Sequence, residues 1–587
     1  MKNFKQTNYH ICGIFAKIKR KIMKKLHQIL ILAAIYVLAL GSRIYWLSQK
    51  DGLHVDEGLT VAYTCCNNFI VRDNYEYGKK YTGKELKEAS LVNNTGLTGT
   101  LDDVRNLWKD NRDSPHTNLY YTFLRLSFIG AKSAVSSIFI RGSILNLLLF
   151  TVSFIFFFML MRLLFAGSEL LQYTATLCAF LSTAAISNTL FFRPYQIQET
   201  IFIIFCYYFV LSLKWEKYII HEKRFFVGVI KPMFIMSLIT AVTLLTGYYA
   251  VIFIGLFGLY AIYYQCKNKT FSQIPCYFAG LGLGILFAQV LYPKYLSGFF
   301  SYRGKGTIRT ISDNIWGNIS SSLVSAGTLL QKHFFSSAVI FVCFWFCLIM
   351  VFMQIRRQKA NNKTLFSLTP VQKTASFIFT ASLIYLFVVF IIAPYKVLRY
   401  GMPVFPFFII LPVLLINLFK EKTPKIAVCA MLLLCVSFAF NATRENKIEN
   451  IFRNKPDQYV FAKDKETPVY VINGAWSAWK YGNLIPYVND EQAYYFIDWY
   501  KSFEGYFNSG QEIKNINLPE AENYSEIYLL TENIPGFEKL DGQIMENLTI
   551  QDIPLQYAEE SRFEILTGEP ESWYPYFIGK KLILDGR

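Results

Sequence analysis

"QILILAAIYVLALGSRIYWLSQKDGLHVDEGLTVAYT" (Gln28–Thr64) sets a long apolar run ahead of two adjacent carboxylates, Asp56 and Glu57. A run of about 20 apolar residues crosses a hydrocarbon layer roughly 30 Å thick as a helix. The 27 residues upstream carry Lys2, Lys5, Lys17, Lys19, Arg20, Lys21, Lys24 and Lys25 and no acid. Positively charged flanks stay cytoplasmic. The acid pair therefore falls just past the outer end of a first transmembrane helix. The run is too long, and too poorly followed by a cleavage site, to be a signal peptide.

The rest of the chain repeats the pattern. Of its residues 53% are hydrophobic and only 17% charged, against about 25% charged in an ordinary soluble domain. Eleven apolar runs fall at about 28–48, 137–161, 171–190, 196–213, 228–246, 248–264, 274–292, 335–354, 374–393, 401–419 and 426–441. Eleven crossings from a cytoplasmic start place Arg162 onward, Lys214–Arg224, Lys267–Lys269, Arg356–Lys363 and Lys420–Lys425 inside. These segments are rich in Lys and Arg, so count and charge agree. Much of the +18 net charge is thus topological, and no basic soluble module for nucleic acid is visible.

The resulting plan is a basic cytoplasmic N-terminus (1–27), a transmembrane region (28–441) with a large first outer loop (49–136), and an extracytoplasmic domain (442–587). A further outer loop spans about 293–334, where Lys294, Arg303, Lys305 and Arg309 break the positive-inside trend. In the last domain "TPVYVING" (Thr467–Gly474) and "SEIYLLTE" (Ser525–Glu532) read as strands, with a helix expected around Glu491–Phe503. That predicts a small α/β unit. Cysteine points to no chemistry: most of the 11 lie in apolar runs, and no C-x-x-C spacing occurs.

An Asp-Glu pair at a helix end most often only caps a helix. Here other polar punctuation maps to the same outer face: "RDSPHTNLYYTFLRL" (Arg112–Leu126), Arg141 at the second membrane run, Arg193–Pro194, "TGYYAVIFIG" (Thr246–Gly255) and "APYKVLRYGMPVFPFFIILP" (Ala393–Pro412). Acids, arginines, tyrosines and prolines gather at one membrane surface.

These residues resemble the membrane glycosyltransferases of the C-type fold, in the branch of protein O-mannosyltransferases and bacterial aminoarabinose–lipid A transferases. The family's acid pair is matched by Asp56-Glu57, its Arg-Pro-Tyr by Arg193-Pro194-Tyr195, and its Arg-Tyr ahead of a proline-broken helix by Arg399-Tyr400. "SPHTNLYY" is similar to its Pro-x-x-x-Tyr-Tyr stretch, although members often read His-Pro-Pro-Leu-Tyr-Tyr, so His116 is displaced. The likeness covers roughly residues 28–420.

The resemblance implies transfer of a sugar from a polyprenyl-phosphate donor to an outer-face acceptor: a glycan, a lipid or a protein. Asp56 is then expected as general base, with Glu57 orienting the acceptor or holding a neighbouring arginine. The phosphate leaving group is already ionised and needs positive charge rather than an acid, for which Arg193, Lys396 and Arg399 are candidates. Tyr120, Tyr121, Tyr195, Tyr248, Tyr249 and His116 are candidates for sugar or acceptor contact, against the commoner role of interfacial aromatic belts. Gln196 and Glu199, one helical turn apart, read as residues facing a wet cavity. No metal-ligand cluster is visible, although related enzymes leave the Asp56–Glu57 pair open to a divalent cation. Lys-, Asn- and Ile-rich usage points to an AT-rich bacterial genome and the cytoplasmic (inner) membrane. A polyprenyl-linked sugar flippase or transporter is the main alternative, and it predicts charge near the bilayer midplane. A surface polysaccharide polymerase and a non-catalytic scaffold are the others.

Overall fold

The structure, a computed structural model, describes all residues except 1, 51, 66–75, 91, 93–95, 112, 114–115, 132–134, 220–229, 269–273, 301–314, 361–367, 394–395, 452–459, 474–487, 499–514, 533–539, 567–575 and 585–587. Among the described residues each of the eleven apolar runs is largely helical. Among the described residues eight helices are long and apolar enough to cross a membrane, nine when one bent pair counts as a span. The two remaining runs are shorter apolar helices, Met233–Leu244 and Tyr277–Leu291.

In chain order the helices are α1 (Lys2–Ser48), α2 (Val55–Thr64), α3 (Gly83–Ser90), α4 (Leu97–Lys109), α5 (Leu119–Ser127) and α6 (Val135–Leu164). The bundle continues with α7 (Glu169–Phe180), α8 (Thr183–Leu190), α9 (Tyr195–Ile219), α10 (Lys231–Leu244), α11 (Ala250–Asn268) and α12 (Ile274–Leu291). It closes with α13 (Tyr295–Phe299), α14 (Ile315–His333), α15 (Ala338–Ala360), α16 (Pro370–Ile392), α17 (Phe405–Phe408), α18 (Ile410–Phe419) and α19 (Pro424–Asn441). The basic N-terminus is not a separate segment but the first turns of α1.

Two breaks shape the working end of this bundle. Between α7 and α8 the chain bends by 51°, where Ser182 turns its Oγ to the Ala185 amide and caps α8. Every residue of α8 is buried, including Thr183, Ser187, Asn188 and Thr189. Polar groups at that depth are tolerable only when they are satisfied inside the bundle. After α16 the chain makes two 3-10 turns, Leu398–Tyr400 and Met402–Val404, because Pro403 and Pro406 withhold amide donors. Contacts gather the ends of distant helices at one pole. The Trp46 indole donates to the Ala442 carbonyl (2.8 Å), Lys50 Nζ to that of Leu190 (2.6 Å) and Asn118 Nδ2 to that of Leu291 (3.2 Å).

At this pole sits the sheet unit. Its strands are β1 (Lys80–Thr82), β2 (Val469–Asn473), β3 (Ala493–Asp498), β4 (Ile516–Asn517), β5 (Glu526–Glu532), β6 (Leu548–Ile550), β7 (Ile553–Pro554), β8 (Tyr557–Leu566) and β9 (Tyr576–Leu584). A mixed six-stranded sheet runs β1-β3-β2-β5-β9-β8, beside a small sheet β4-β6-β7. β2 is parallel to both β3 and β5, and the outer pairings are antiparallel. Two short helices, Val460–Lys463 and Leu540–Glu546, complete the described part. Both expected strands form, as β2 and β5. The helix expected at Glu491–Phe503 is corrected: residues 493–498 are strand β3, and 499–503 lie outside the described residues. "AYYFID" is aromatic and β-branched and suits a pleated surface better than a helix. The sheet also takes its edge strand from the first loop, since β1 pairs with β3 through Lys80–Tyr495, Tyr81–Tyr494 and Thr82–Ala493. The plan of separate domains therefore understates how the loop and the last domain interlock.

Candidate active site

α2 starts with a reciprocal cap. The Asp56 amide donates to His54 Nδ1 (3.0 Å), and the His54 amide donates to Glu57 Oε2 (2.6 Å). Glu57 Oε1 also accepts from Lys50 Nζ (2.5 Å) and from the Phe192 amide (2.8 Å). Both charged side chains are wholly buried. Burial pushes the Glu57 carboxyl up and the Lys50 ammonium down, each opposed by the other charge. Three donors on one carboxylate and a contact this short favour the ion pair. Glu57 thus pins α2 to the α8–α9 corner. The neighbour it holds is Lys50 and not the arginine expected, and its oxygens are taken up by Lys50 and the amides of His54 and Phe192.

One residue earlier, Asp56 points the other way. Its Oδ2 accepts from Arg399 Nη1 at 2.7 Å, with 19% of the Asp56 side chain and 15% of the Arg399 side chain exposed. Burial alone would raise the Asp56 carboxyl. Arg399, then Arg193, outweigh that and hold it well below the usual carboxylate range. His54 lies 3.8 Å from the same oxygen, but burial holds its ring down to about 3. The pair His54–Asp56 is therefore not an ion pair.

Behind Asp56 stands Arg193, at the end of the α8–α9 corner. Its Nη1 is shared among Thr60 Oγ1 (2.8 Å), Asp113 Oδ2 (2.8 Å), the Asp56 carbonyl (3.3 Å) and the Tyr121 hydroxyl (3.3 Å). Nη2 donates to His116 Nε2 at 2.8 Å; a guanidinium only donates, so that nitrogen is unprotonated. Tyr121 donates its hydroxyl hydrogen to Asp113 Oδ2. Burial works to raise the Asp113 carboxyl, and the charge of Arg193 with the hydrogen bond from Tyr121 brings it below its ordinary value. Nothing in the sequence singled out Asp113. It sits in a turn without periodicity, and only its place ahead of the "SPHTNLYY" stretch marks it.

Below this layer lies a polar cluster inside the bundle. Glu199 accepts from Asn188 Nδ2 (2.9 Å) and Gln196 Nε2 (3.2 Å), and Thr189 donates to Gln196 Oε1 (2.9 Å). Arg43 Nε donates to Thr189 Oγ1 (2.9 Å), and Asn146 Nδ2 to the Thr189 and Phe191 carbonyls (both 3.0 Å). Gln196 and Glu199 are buried, so they face this network and not a wet cavity. Its effect is to fix the corner that carries Phe192 and Arg193.

The expected aromatic contacts divide. Tyr195 stacks on Phe191 (6.1 Å between centroids) and meets Tyr400 and His116 edge-on (both 6.1 Å). Tyr400 in turn meets Tyr249 at 6.0 Å. Tyr195, Tyr249 and His116 therefore border the Asp56–Arg399 pair. Tyr248 faces Tyr295 (5.6 Å) and Phe299 (5.9 Å) instead. Tyr120 and Tyr121 are 1% and 0% exposed, so their expected stacking on sugar is corrected. Tyr120 holds Asn146 (3.1 Å), and Tyr121 serves Asp113. Arg193 is corrected in the same way, because its Nη groups are taken up by protein partners. Arg399 and the half-buried Lys396 are the cations nearer the surface, and burial lowers the Lys396 ammonium. Arg303, Lys305 and Arg309 lie outside the described residues, while Lys294 pairs with Asp110 at 2.8 Å.

A divalent cation on Asp56 and Glu57 does not fit this arrangement, because the Glu57 oxygens are engaged and Asp56 faces a guanidinium. Among the described residues no group of three or more His, Cys, Asp or Glu side chains is placed to hold a metal ion.

No protein-family model matches the chain, and no curated protein sequence matches it. It is similar to two crystal structures of ArnT from Cupriavidus metallidurans. For ArnT bound to undecaprenyl phosphate the TM-score is 0.49 at 9% identity, covering 94% of this chain and 97% of that one. For ArnT in the apo state the TM-score is 0.46 at 11% identity, covering 95% and 98%. Both scores lie below 0.5, and the functional reading is carried by the site geometry alone.

Proposed function

We propose that the chain is a membrane glycosyltransferase of the C-type fold. It transfers a sugar from a polyprenyl-phosphate donor to an acceptor hydroxyl or phosphate at the outer face of the cytoplasmic membrane. The observation that carries the reading is the largely buried ion pair of Asp56 and Arg399, with an edge still open to solvent, at the pole where bundle, first loop and sheet unit meet. A polyprenyl tail is too apolar to leave the bilayer, so its phosphate must be met at that surface. Arg399, with Lys396, supplies the positive charge a phosphate leaving group requires. Asp56 takes the acceptor proton as the new bond to the anomeric carbon forms. Arg193, Asp113 and Tyr121 hold Asp56 in place from behind, and Tyr195, Tyr249 and His116 border the sugar or acceptor.

The polar cluster speaks against the transporter alternative. Arg43 is close to the end of α1 and Glu199 close to the start of α9, at the same pole as the site and not at mid-span. The reading is tested by mass spectrometry of surface glycans, lipids and proteins from a deletion strain. A sugar missing from one acceptor class is the expected result and names both substrates. A surface glycome identical to that of the parent strain overturns the assignment.

A further inference from the structure

Resting on the transferase reading, the ion pair at the site carries one consequence for how transfer is controlled. Two arginines reach Asp56, and they are unlike. Arg193 touches its main-chain carbonyl and is fixed by Thr60, Asp113, Tyr121 and His116. Arg399 touches the carboxylate itself, at Oδ2, from a short 3-10 turn ahead of a proline-broken helix. A phosphate arriving from the membrane meets an arginine already held by an acid. Phosphate and carboxylate compete for the same guanidinium donors, and phosphate offers more acceptor oxygens to its fork.

We propose that the donor phosphate draws Arg399 off Asp56, so that Asp56 is released as proton acceptor only once the donor is seated. The transfer then balances. The acceptor O–H proton goes to an Asp56 oxygen, and the acceptor oxygen bonds to the anomeric carbon. The anomeric C–O bond breaks with its electrons on the phosphate, which leaves as a polyprenyl phosphate dianion on Arg399. Without donor, Asp56 stays neutralised by Arg399 and activates no water. The direction of the electrostatics agrees. Arg399 is the strongest of the charges that hold Asp56 down, and its departure, with a phosphate anion arriving, brings the carboxyl back up.

The exchange is tested by polyprenyl phosphate binding to the full-length protein and to Asp56→Asn, Arg399→Gln and the double variant. Asp56→Asn removes the carboxylate that competes for Arg399 and is expected to bind about tenfold tighter, Arg399→Gln about tenfold weaker, the scale of one charge-assisted contact. The double variant should bind like Arg399→Gln, because with Arg399 gone Asp56 has no partner to release. Equal tightening by Asp56→Asn in both backgrounds means simple charge repulsion and overturns the exchange. No tightening in either background overturns it too. Inorganic phosphate, run in parallel, is expected to show the same pattern at far lower affinity; a match in affinity would assign the site to free phosphate. Absence of any binding by the unaltered protein overturns the transferase reading itself. The unaltered protein also gives a readout independent of variant folding. Bound to polyprenyl phosphate, its structure should show Arg399 on the phosphate, with the 2.7 Å contact to Asp56 opened. A contact still closed overturns the proposal.

Discussion

At the scale of single residues the site depends on a neutral histidine. His54 caps α2 only while Nδ1 keeps its lone pair for the Asp56 amide. Burial, followed by the charges of Arg399, Arg193 and Lys50, holds the ring down to about 3, against the pull of Asp56. A base whose folded value lies below its unfolded 6.5 leaves the unfolded chain to bind the proton first. The stability it contributes is therefore whole above about pH 6.5 and drains as pH falls toward 3. Asn at position 54 can still cap and does not titrate. Melting temperatures measured across that window should fall less steeply for His54→Asn than for the unaltered protein; equal slopes would contradict the assignment. Lys50 and Glu57 give a second prediction. Removing one partner of a buried pair costs about 3–5 kcal/mol, whereas replacing both with apolar side chains is far milder. Lys50→Met should lower the melting temperature markedly, and Lys50→Met with Glu57→Gln, which removes the charge and keeps an oxygen for the His54 and Phe192 amides, should restore much of the loss.

Among the elements, the strand lent by the first loop is the most exposed to a small change. At Gly83 an added Cβ would lie 1.9 Å from the Asn489 carbonyl oxygen, a backbone atom with nowhere to go. Gly83 directly follows β1, and its amide donates to the Gln492 carbonyl at 3.1 Å. Gly83→Val should unseat β1 from β3, seen as faster proteolysis within the first loop and slower transfer, with polyprenyl phosphate binding retained. Undiminished protease resistance would show that the loop does not need this strand. The α8–α9 corner is the second such element. Arg193→Ala strands Asp113 as a buried acid without its cation, a loss again of about 3–5 kcal/mol in apparent stability. These elements also show what the sequence could reveal. The positions of Asp56, Arg193 and Arg399 were legible because each stands beside an apolar run, although the phosphate contact expected of Arg193 was not. Asp113 was not, since its meaning comes from Arg193, 80 residues away along the chain. The roles of Glu57 and Tyr121 were misjudged for the same reason: residue type suggested chemistry, and burial by distant partners decides otherwise. Strand β3 was misread because Glu491 and Lys501 flank a continuous aromatic run that only the neighbouring strands β1 and β2 turn into sheet.

For the whole molecule, the helices of the bundle were legible run by run, because bilayer thickness dictates helix length. The bend at Ser182 and the joining of first loop to last domain were not, as both depend on tertiary pairing. What the assembly achieves is convergence. Helix ends far apart in sequence bring one acid and one partly buried arginine to a single pole, where the proposed reading has a lipid-borne sugar meet a nucleophile from water. The central claim is that Asp56 takes the nucleophile's proton, and single-turnover transfer from a polyprenyl-phosphate sugar by purified Asp56→Asn tests it most directly. Loss of a positioned base predicts a rate lower by about 10²–10⁴-fold with donor still bound. Transfer at the unaltered rate by that variant would contradict it.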